Sequence, residues 1–330
     1  MRKLQPMDLR LALLQLAAQH ELNDVQRRRL TELAGTNTEP RELARNTAFG
    51  VAILGAVLSG LGVIFWIAAN WSDFGRAGRF AMLQGLVVAM CVGAWARPAA
   101  QVPLSLLAML GIGALFAYFG QTYQTGADPW QLFAWWAVLA LPLCAGVRHD
   151  ALWTAWTIIA ATAITLWVHA ATGTWSVAPG SLPVFLAGWS AAWLMAFALS
   201  PAWRRYTGAG RLSMRVAALL AVWMITISAL GGLFSRDIEP HFWLGSTTIM
   251  AAAAALSRPR FYDIVALSAV ALALDVLAFG LLATLLIDGN SRNLMGALVT
   301  LGLLAAAMLA GTVKLVLDLS RRCAAADSAP

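Results

Sequence analysis

The sequence predicts an all-α fold: a polytopic helical membrane protein with about ten transmembrane helices. Of its 330 residues, 60% are hydrophobic and only 12% are charged, and the mean hydropathy is +0.71. A soluble fold of this size cannot bury so many apolar side chains, because the surface fraction falls too slowly with chain length. The composition therefore excludes a disordered chain, a disulfide scaffold and an ordinary cytosolic enzyme.

The first 46 residues are polar and predict a cytoplasmic helical hairpin. Asp8 can cap its first helix, Asn23 can cap the second, and Gly35 can end it. This polar start is unlike a cleavable signal peptide, so we expect the first membrane helix to direct insertion. The hairpin is expected to pack on itself, on the membrane surface or on a partner protein, in preference to DNA binding as a helix-turn-helix.

Ten apolar stretches within residues 47–319 are each long enough to cross the hydrocarbon core of a bilayer. The eighth is short and the last two are long, and residues 320–330 form a short cytoplasmic tail. The predicted spans are 47–69, 79–96, 103–120, 130–147, 151–169, 182–200, 213–234, 242–257, 261–287 and 293–319.

The net charge of +7 reflects 23 basic and 16 acidic residues, and the basic residues are unevenly distributed along the chain. With the N-terminus in the cytoplasm, nineteen of them fall on the cytoplasmic side, and only Arg76, Arg79, Arg236 and Arg292 fall outside. This asymmetry is the positive-inside pattern. It predicts a membrane protein with both termini in the cytoplasm, and it explains the positive charge without a nucleic-acid partner.

Two segments at the predicted outer surface carry unusual polar residues. The first membrane helix ends in AANW at Trp71, and the third runs into GQTYQTGADPW, which spans 120–130. In the second segment, Asp128 is placed to cap the fourth helix and Pro129 to begin it, so a well-formed turn explains part of the pattern. A polar vestibule is the functional alternative, lined by Asn70, Asp73, Gln121, Tyr123, Gln124 and Asp128.

With these motifs, residues from about 8 to 155 resemble the bacterial membrane family called domain of unknown function 2157. That family has an N-terminal helical hairpin, a glycine-rich helix ending in AANW, and a later GQTYQTGADPWQLF-like segment, as at 120–133 here. The resemblance implies a bacterial inner-membrane protein and suggests a small envelope partner of the GDYxxLxY type. It implies no reaction.

Ionisable residues inside the spans are the second indication of function, because a charge in hydrocarbon is costly. Asp275 lies midway along the ninth span in ALALDVLAFG, and we expect its carboxyl to be neutral and to face the bundle interior or water. It is a candidate proton or cation relay, or else a hydrogen-bonded link between helices. Gln84 in the second span is a candidate partner. Asp263 with Arg215, and Lys314 with Asp318, are expected to form local pairs near the inner surface.

No nucleotide-binding, serine-hydrolase or metalloprotease motif has a plausible setting, and the histidines and cysteines lack metal-ligand spacing. We therefore expect no enzyme activity, no cofactor and no metal. The favoured interpretation is a secondary transporter or channel for a small solute or ion. The alternative is a non-catalytic envelope assembly or sensor subunit, and a membrane enzyme acting on lipid-linked substrates ranks last.

Overall fold

The computed structural model describes residues 13, 15, 16, 19, 22–33, 41–69, 75–123, 126, 128–173, 177, 180–235, 237–258, 261–288 and 294–328. Within these residues the fold is all-α and contains no strand, as predicted. The helices are α1 (Asp24–Leu33), α2 (Arg41–Ala69), α3 (Arg76–Ala96), α4 (Gln101–Tyr123), α5 (Pro129–Val147), α6 (Asp150–Thr172), α7 (Leu182–Ala198), α8 (Arg204–Thr207), α9 (Arg211–Leu233), α10 (Pro240–Leu256), α11 (Ile264–Asp288) and α12 (Leu294–Ser328).

The chain divides into two compact units, Met1–Gly62 and Val63–Pro330. In the first unit, Asn23 begins α1 as predicted: its side-chain Oδ1 accepts the Val25 N–H at 2.9 Å, and the Gln26 side chain accepts the Asn23 N–H at 3.1 Å. This reciprocal pairing satisfies donors that a helix N-terminus otherwise leaves free. The caps predicted at Asp8 and Gly35 lie outside the described residues.

Each of the ten predicted spans overlaps one long helix. Seven of these helices (α3, α4, α5, α6, α9, α11 and α12) are long and apolar enough to cross a membrane, within the described part of the chain. An eighth crossing is formed if α7 continues through the 3₁₀ turn into α8, with a bend of 53° between the two parts. The structure thus confirms a polytopic helical membrane protein. The count of ten stays a prediction, because the described parts of α2 and the 17-residue α10 do not meet this test.

Helix α9 is the centre of the second unit and packs against α6, α7, α10 and α11. Its buried face consists mainly of small residues, which let the neighbouring helices approach closely. At Gly245 on α10, for example, an added Cβ would lie 2.7 Å from the Ala229 side chain. The core around α9 contains Trp189, Val222, Ile225, Ala229, Leu233, Phe242, Ile249, Val270, Ala273 and Leu277.

Tryptophan N–H groups join the neighbouring helices on the other side of the unit. The Trp136 indole on α5 donates to the Met109 carbonyl of α4 at 2.8 Å, and its ring fills the space left by Gly113. Trp156 on α6 donates to the Ala137 carbonyl of α5 at 2.8 Å. Because a buried indole N–H needs an acceptor, these bonds fix the relative positions of α4, α5 and α6.

Candidate functional site

Asp275 lies near the middle of α11 and faces α12. Its Oδ1 accepts a hydrogen bond from the Thr312 hydroxyl of α12 at 2.8 Å. Its Oδ2 is buried and has no hydrogen-bond partner among the described residues. The carboxyl group is therefore held in place through one oxygen, while the other oxygen is free to take a proton or to contact a cation.

The position of Asp275 on α11 explains this environment. Ala273 and Leu277, two residues before and two after it, belong to the core around α9. Positions two apart lie on opposite sides of a helix, so Asp275 points away from that core. Leu272 and Phe279, three residues before and four after, share its face and are 54% and 40% exposed. The site thus lies at the α11–α12 contact, and α12 packs mainly against α11.

The Thr312 hydroxyl is a partner of Asp275 that the sequence did not indicate. Gln84, the residue proposed for this role, is exposed on α3, and α3 packs against α4. Helix α12 contains two threonines, Thr300 and Thr312, and the sequence alone does not show that α12 packs against α11.

The predicted outer vestibule is described only in part, because Asn70, Asp73 and Gln124 lie outside the described residues. Gln121 and Tyr123 are exposed at the end of α4. The Tyr123 ring packs against Phe119, with ring centroids 4.9 Å apart. The same Tyr123 ring also lies 6.0 Å from the Phe80 ring of α3, measured between centroids, which links the end of α4 to α3.

Asp128 and Pro129 occupy the predicted positions at the start of α5. Pro129 is the first helical residue, and Asp128 precedes it in an extended conformation. The Asp128 side chain is exposed and makes no capping hydrogen bond, contrary to the expected cap. Its backbone carbonyl accepts the Gln131 N–H at 3.0 Å instead. The Asp128 carboxylate is therefore available at the surface.

A second carboxylate, Asp150, joins two helix ends. As the first residue of α6 it accepts backbone N–H groups from the start of α9: Gly210 at 2.9 Å, Leu212 at 3.0 Å and Ser213 at 3.0 Å. The α9 N-terminus attracts a negative charge, so both the helix dipole and the free N–H groups favour this contact. The sequence gives no sign of this contact, because Asp150 stands at a predicted span boundary.

His149 supports the same junction. Its Nδ1 accepts the Ala151 N–H at 3.2 Å and caps α6. Burial lowers the pKa of the His149 imidazole below its ordinary value, and the adjacent Asp150 charge opposes that shift. The neutral imidazole, which keeps the accepting lone pair, is therefore the form that the folded protein favours.

The two pairs expected near the inner surface have different outcomes. Arg215 on α9 donates from Nε to both carboxylate oxygens of Asp263, at 3.1 and 3.0 Å, which confirms that pair. The Lys314–Asp318 pair is wrong, because Asp318 instead lies 3.9 Å from Arg321. Asp318 and Arg321 are three residues apart, so both side chains lie on one face of α12.

A buried histidine at the opposite end of the bundle is a further feature that the sequence did not indicate. His241, at the start of α10, is 1% exposed, and its Nε2 lies 3.3 Å from the Ser181 hydroxyl. The Phe185 ring packs edge-on against the imidazole, with centroids 5.0 Å apart. His241 therefore links α10 to the start of α7.

An apolar cavity of about 200 Å³ lies between α6, α7 and α9, and its walls include Ile158, Thr165, Met195 and Met224. Its hydroxyl groups are already used within the bundle: Thr165 donates to the Ala161 carbonyl at 2.9 Å. Asp275 is not part of its lining. The candidate site therefore consists of the Asp275 carboxyl and Thr312.

The comparisons with known proteins agree with the fold and assign no activity. No curated protein and no solved structure matches the chain. Residues 14–153 match the family described as "Predicted membrane protein (DUF2157)", which confirms the resemblance over the N-terminal part of the chain.

Proposed function

We propose that this membrane protein is a secondary transporter or channel for a small solute or ion, with Asp275 as its proton or cation relay. The observation that carries the proposal is the half-satisfied carboxyl: Thr312 holds one oxygen, and the other is buried with no partner in the described part of the chain. Buried polar groups are nearly always paired, so an unpaired one in a membrane helix calls for an explanation.

The energetics favour a functional explanation. An aspartate at the centre of a membrane helix costs about 3 kcal/mol on insertion scales, and such residues commonly belong to ion or proton pathways. A carboxyl that served only to hold two helices together would gain from a second hydrogen bond. Here the second oxygen remains available, as the binding and release of a proton require.

Reconstitution into lipid vesicles tests this function. We expect vesicles containing the protein to show proton flux under a potassium diffusion potential, above that of protein-free vesicles. Asp275→Asn keeps an oxygen that can accept from Thr312 but cannot cycle a proton, so flux should fall to the protein-free level. Asp275→Glu keeps an acid and should retain part of the flux. Equal flux through wild type and Asp275→Asn, or no flux through wild type, would contradict the relay.

A second candidate, an envelope assembly or sensor subunit, is favoured by the division of the chain. Met1–Gly62 forms its own compact unit, and Val25 on α1 is 68% exposed. The predicted cytoplasmic hairpin lies within this unit, and an exposed apolar side chain on α1 suits contact with another protein. The resemblance to the family suggests a small envelope partner of the GDYxxLxY type.

Co-expression separates this candidate from the first. If the protein is an assembly subunit, a tagged full-length chain should retain a co-expressed GDYxxLxY-type protein through purification. Loss of that protein on Val25→Asp would assign the contact to α1. Absence of co-purification, together with flux that depends on Asp275, would favour transport. The orientation with both termini in the cytoplasm is part of either proposal and is supported by the distribution of the arginines.

A further inference from the structure

Exposed arginines and aromatic rings share one surface at the end of the bundle where α6 and α9 begin. We call it the arginine surface and define it by Arg148, Trp203, Arg204, Arg205 and Tyr206. All five residues are exposed. The turn before α6 adjoins α8, because a Cβ added at position 208 would meet the Arg148 backbone.

The positive charge of this surface is not neutralised by nearby carboxylates. Asp150 uses both of its oxygens to accept backbone N–H groups of α9. Asp263 is held by Arg215. Among the described residues, Arg148, Arg204 and Arg205 form no ion pair. Three guanidinium groups therefore remain available to an external anion.

The aromatic rings of this surface are of the kind that membrane proteins concentrate at the boundary between lipid and water. The chain bends by 53° between α7 and the segment that contains α8, so α8 does not continue the line of α7. The Trp203 and Tyr206 ring centroids are 6.0 Å apart, and the Arg205 guanidinium lies 4.7 Å from the Tyr206 ring centroid. Tryptophan and tyrosine concentrate at headgroup depth in membrane proteins.

We propose that the arginine surface binds the phosphates of anionic phospholipid headgroups. A guanidinium presents two parallel N–H groups to phosphate oxygens, and adjacent arginines at positions 204 and 205 present two such groups together. Basic residues at the end of a bundle are also attracted by an anionic leaflet over a distance of about 8 Å at physiological salt. The surface would hold the α5–α6 turn and α8 against the bilayer.

Thermal unfolding of the full-length protein in detergent, with and without added phosphatidylglycerol, tests this proposal. We expect phosphatidylglycerol to raise the midpoint, and phosphatidylcholine to raise it much less. The double variant Arg204→Gln, Arg205→Gln should bind phosphatidylglycerol roughly 30-fold more weakly, because each basic residue near an anionic surface contributes about a fivefold factor.

The double variant Arg321→Gln, Arg322→Gln is the control, because it removes two adjacent exposed arginines of α12 that lie outside the arginine surface, one of them 3.9 Å from the Asp318 carboxylate. It should keep the full response to phosphatidylglycerol. The proposal is overturned if the two double variants respond alike, if phosphatidylcholine stabilises equally, or if inorganic phosphate at equal ionic strength gives the same rise. The last result would identify a site for a free anion. Should the 204/205 variant fail to fold, Arg148→Gln alone replaces it, with an expected weakening of about fivefold.

Discussion

Asp150 and Asp275 are two carboxylates of the same bundle that meet opposite conditions. Asp150, at a helix end, accepts three backbone N–H groups. Asp275, within a helix, accepts one hydroxyl, and its other oxygen is buried with no partner among the residues that the structure describes. The first arrangement is complete and needs no ligand or partner. The second is incomplete, which is the reason to seek a function there.

The difference follows from what each position offers. A helix N-terminus presents free backbone N–H groups, so a carboxylate placed there can satisfy all of its acceptors. The middle of a helix presents none, because every backbone group is used in the helix itself. Asp275 can therefore be satisfied only by side chains of neighbouring helices, and α12 provides a single hydroxyl.

The largest expected effect is at Asp150, whose hydrogen bonds are complete. Asp150→Ala leaves three N–H groups at the start of α9 without their acceptor, and we expect the free energy of unfolding to fall by about 3 kcal/mol. Denaturant unfolding in detergent measures the loss. Asp318→Ala is the control: its carboxylate is 49% exposed and its pair with Arg321 is long, so a change below about 0.5 kcal/mol is expected. If Asp150→Ala and Asp318→Ala lowered the free energy of unfolding by similar amounts, the special role of the Asp150 contacts would be contradicted.

An intermediate effect is expected at Asp275 and its partner Thr312. Thr312→Val keeps the shape of the side chain but removes the only described donor to Asp275, which should cost about 1 kcal/mol. Asp275→Asn keeps an accepting oxygen and should be nearly neutral for stability. The two variants are compared by thermal unfolding in one detergent. A larger loss in Asp275→Asn than in Thr312→Val would indicate that the charge itself has a structural role.

The sequence was sufficient for the fold and insufficient for these contacts. Long apolar stretches and the arginine distribution predict the helices, because both depend on local composition. Asp275 was identified for the same reason, because a carboxylate in an apolar stretch can be recognised from its neighbours in the sequence. Thr312 and the Asp150 contact with α9 were not found, because each depends on which helices pack together. A single sequence does not record that packing.

The smallest expected effect is a pH dependence of the free energy of unfolding that arises from His149, the residue next to Asp150. Because burial lowers the pKa of His149 in the folded protein, the unfolded chain binds its proton more readily. The free energy of unfolding should therefore fall as the pH drops below about 6.5, and protonation also removes the acceptor for the Ala151 N–H. His149→Gln should reduce this pH dependence when unfolding is compared between neutral and mildly acidic buffers. An unchanged pH profile would assign the dependence to other groups.

The relay assignment is tested most directly by carbodiimide labelling of the reconstituted protein, read by intact mass and peptide mapping across a pH series. A carbodiimide reacts with a protonated carboxyl in an apolar setting. A relay must exchange its proton, so we expect labelling of Asp275 that declines as the pH rises and is absent in Asp275→Asn. Labelling that does not change with pH, or no labelling of Asp275 at any pH, would contradict the account.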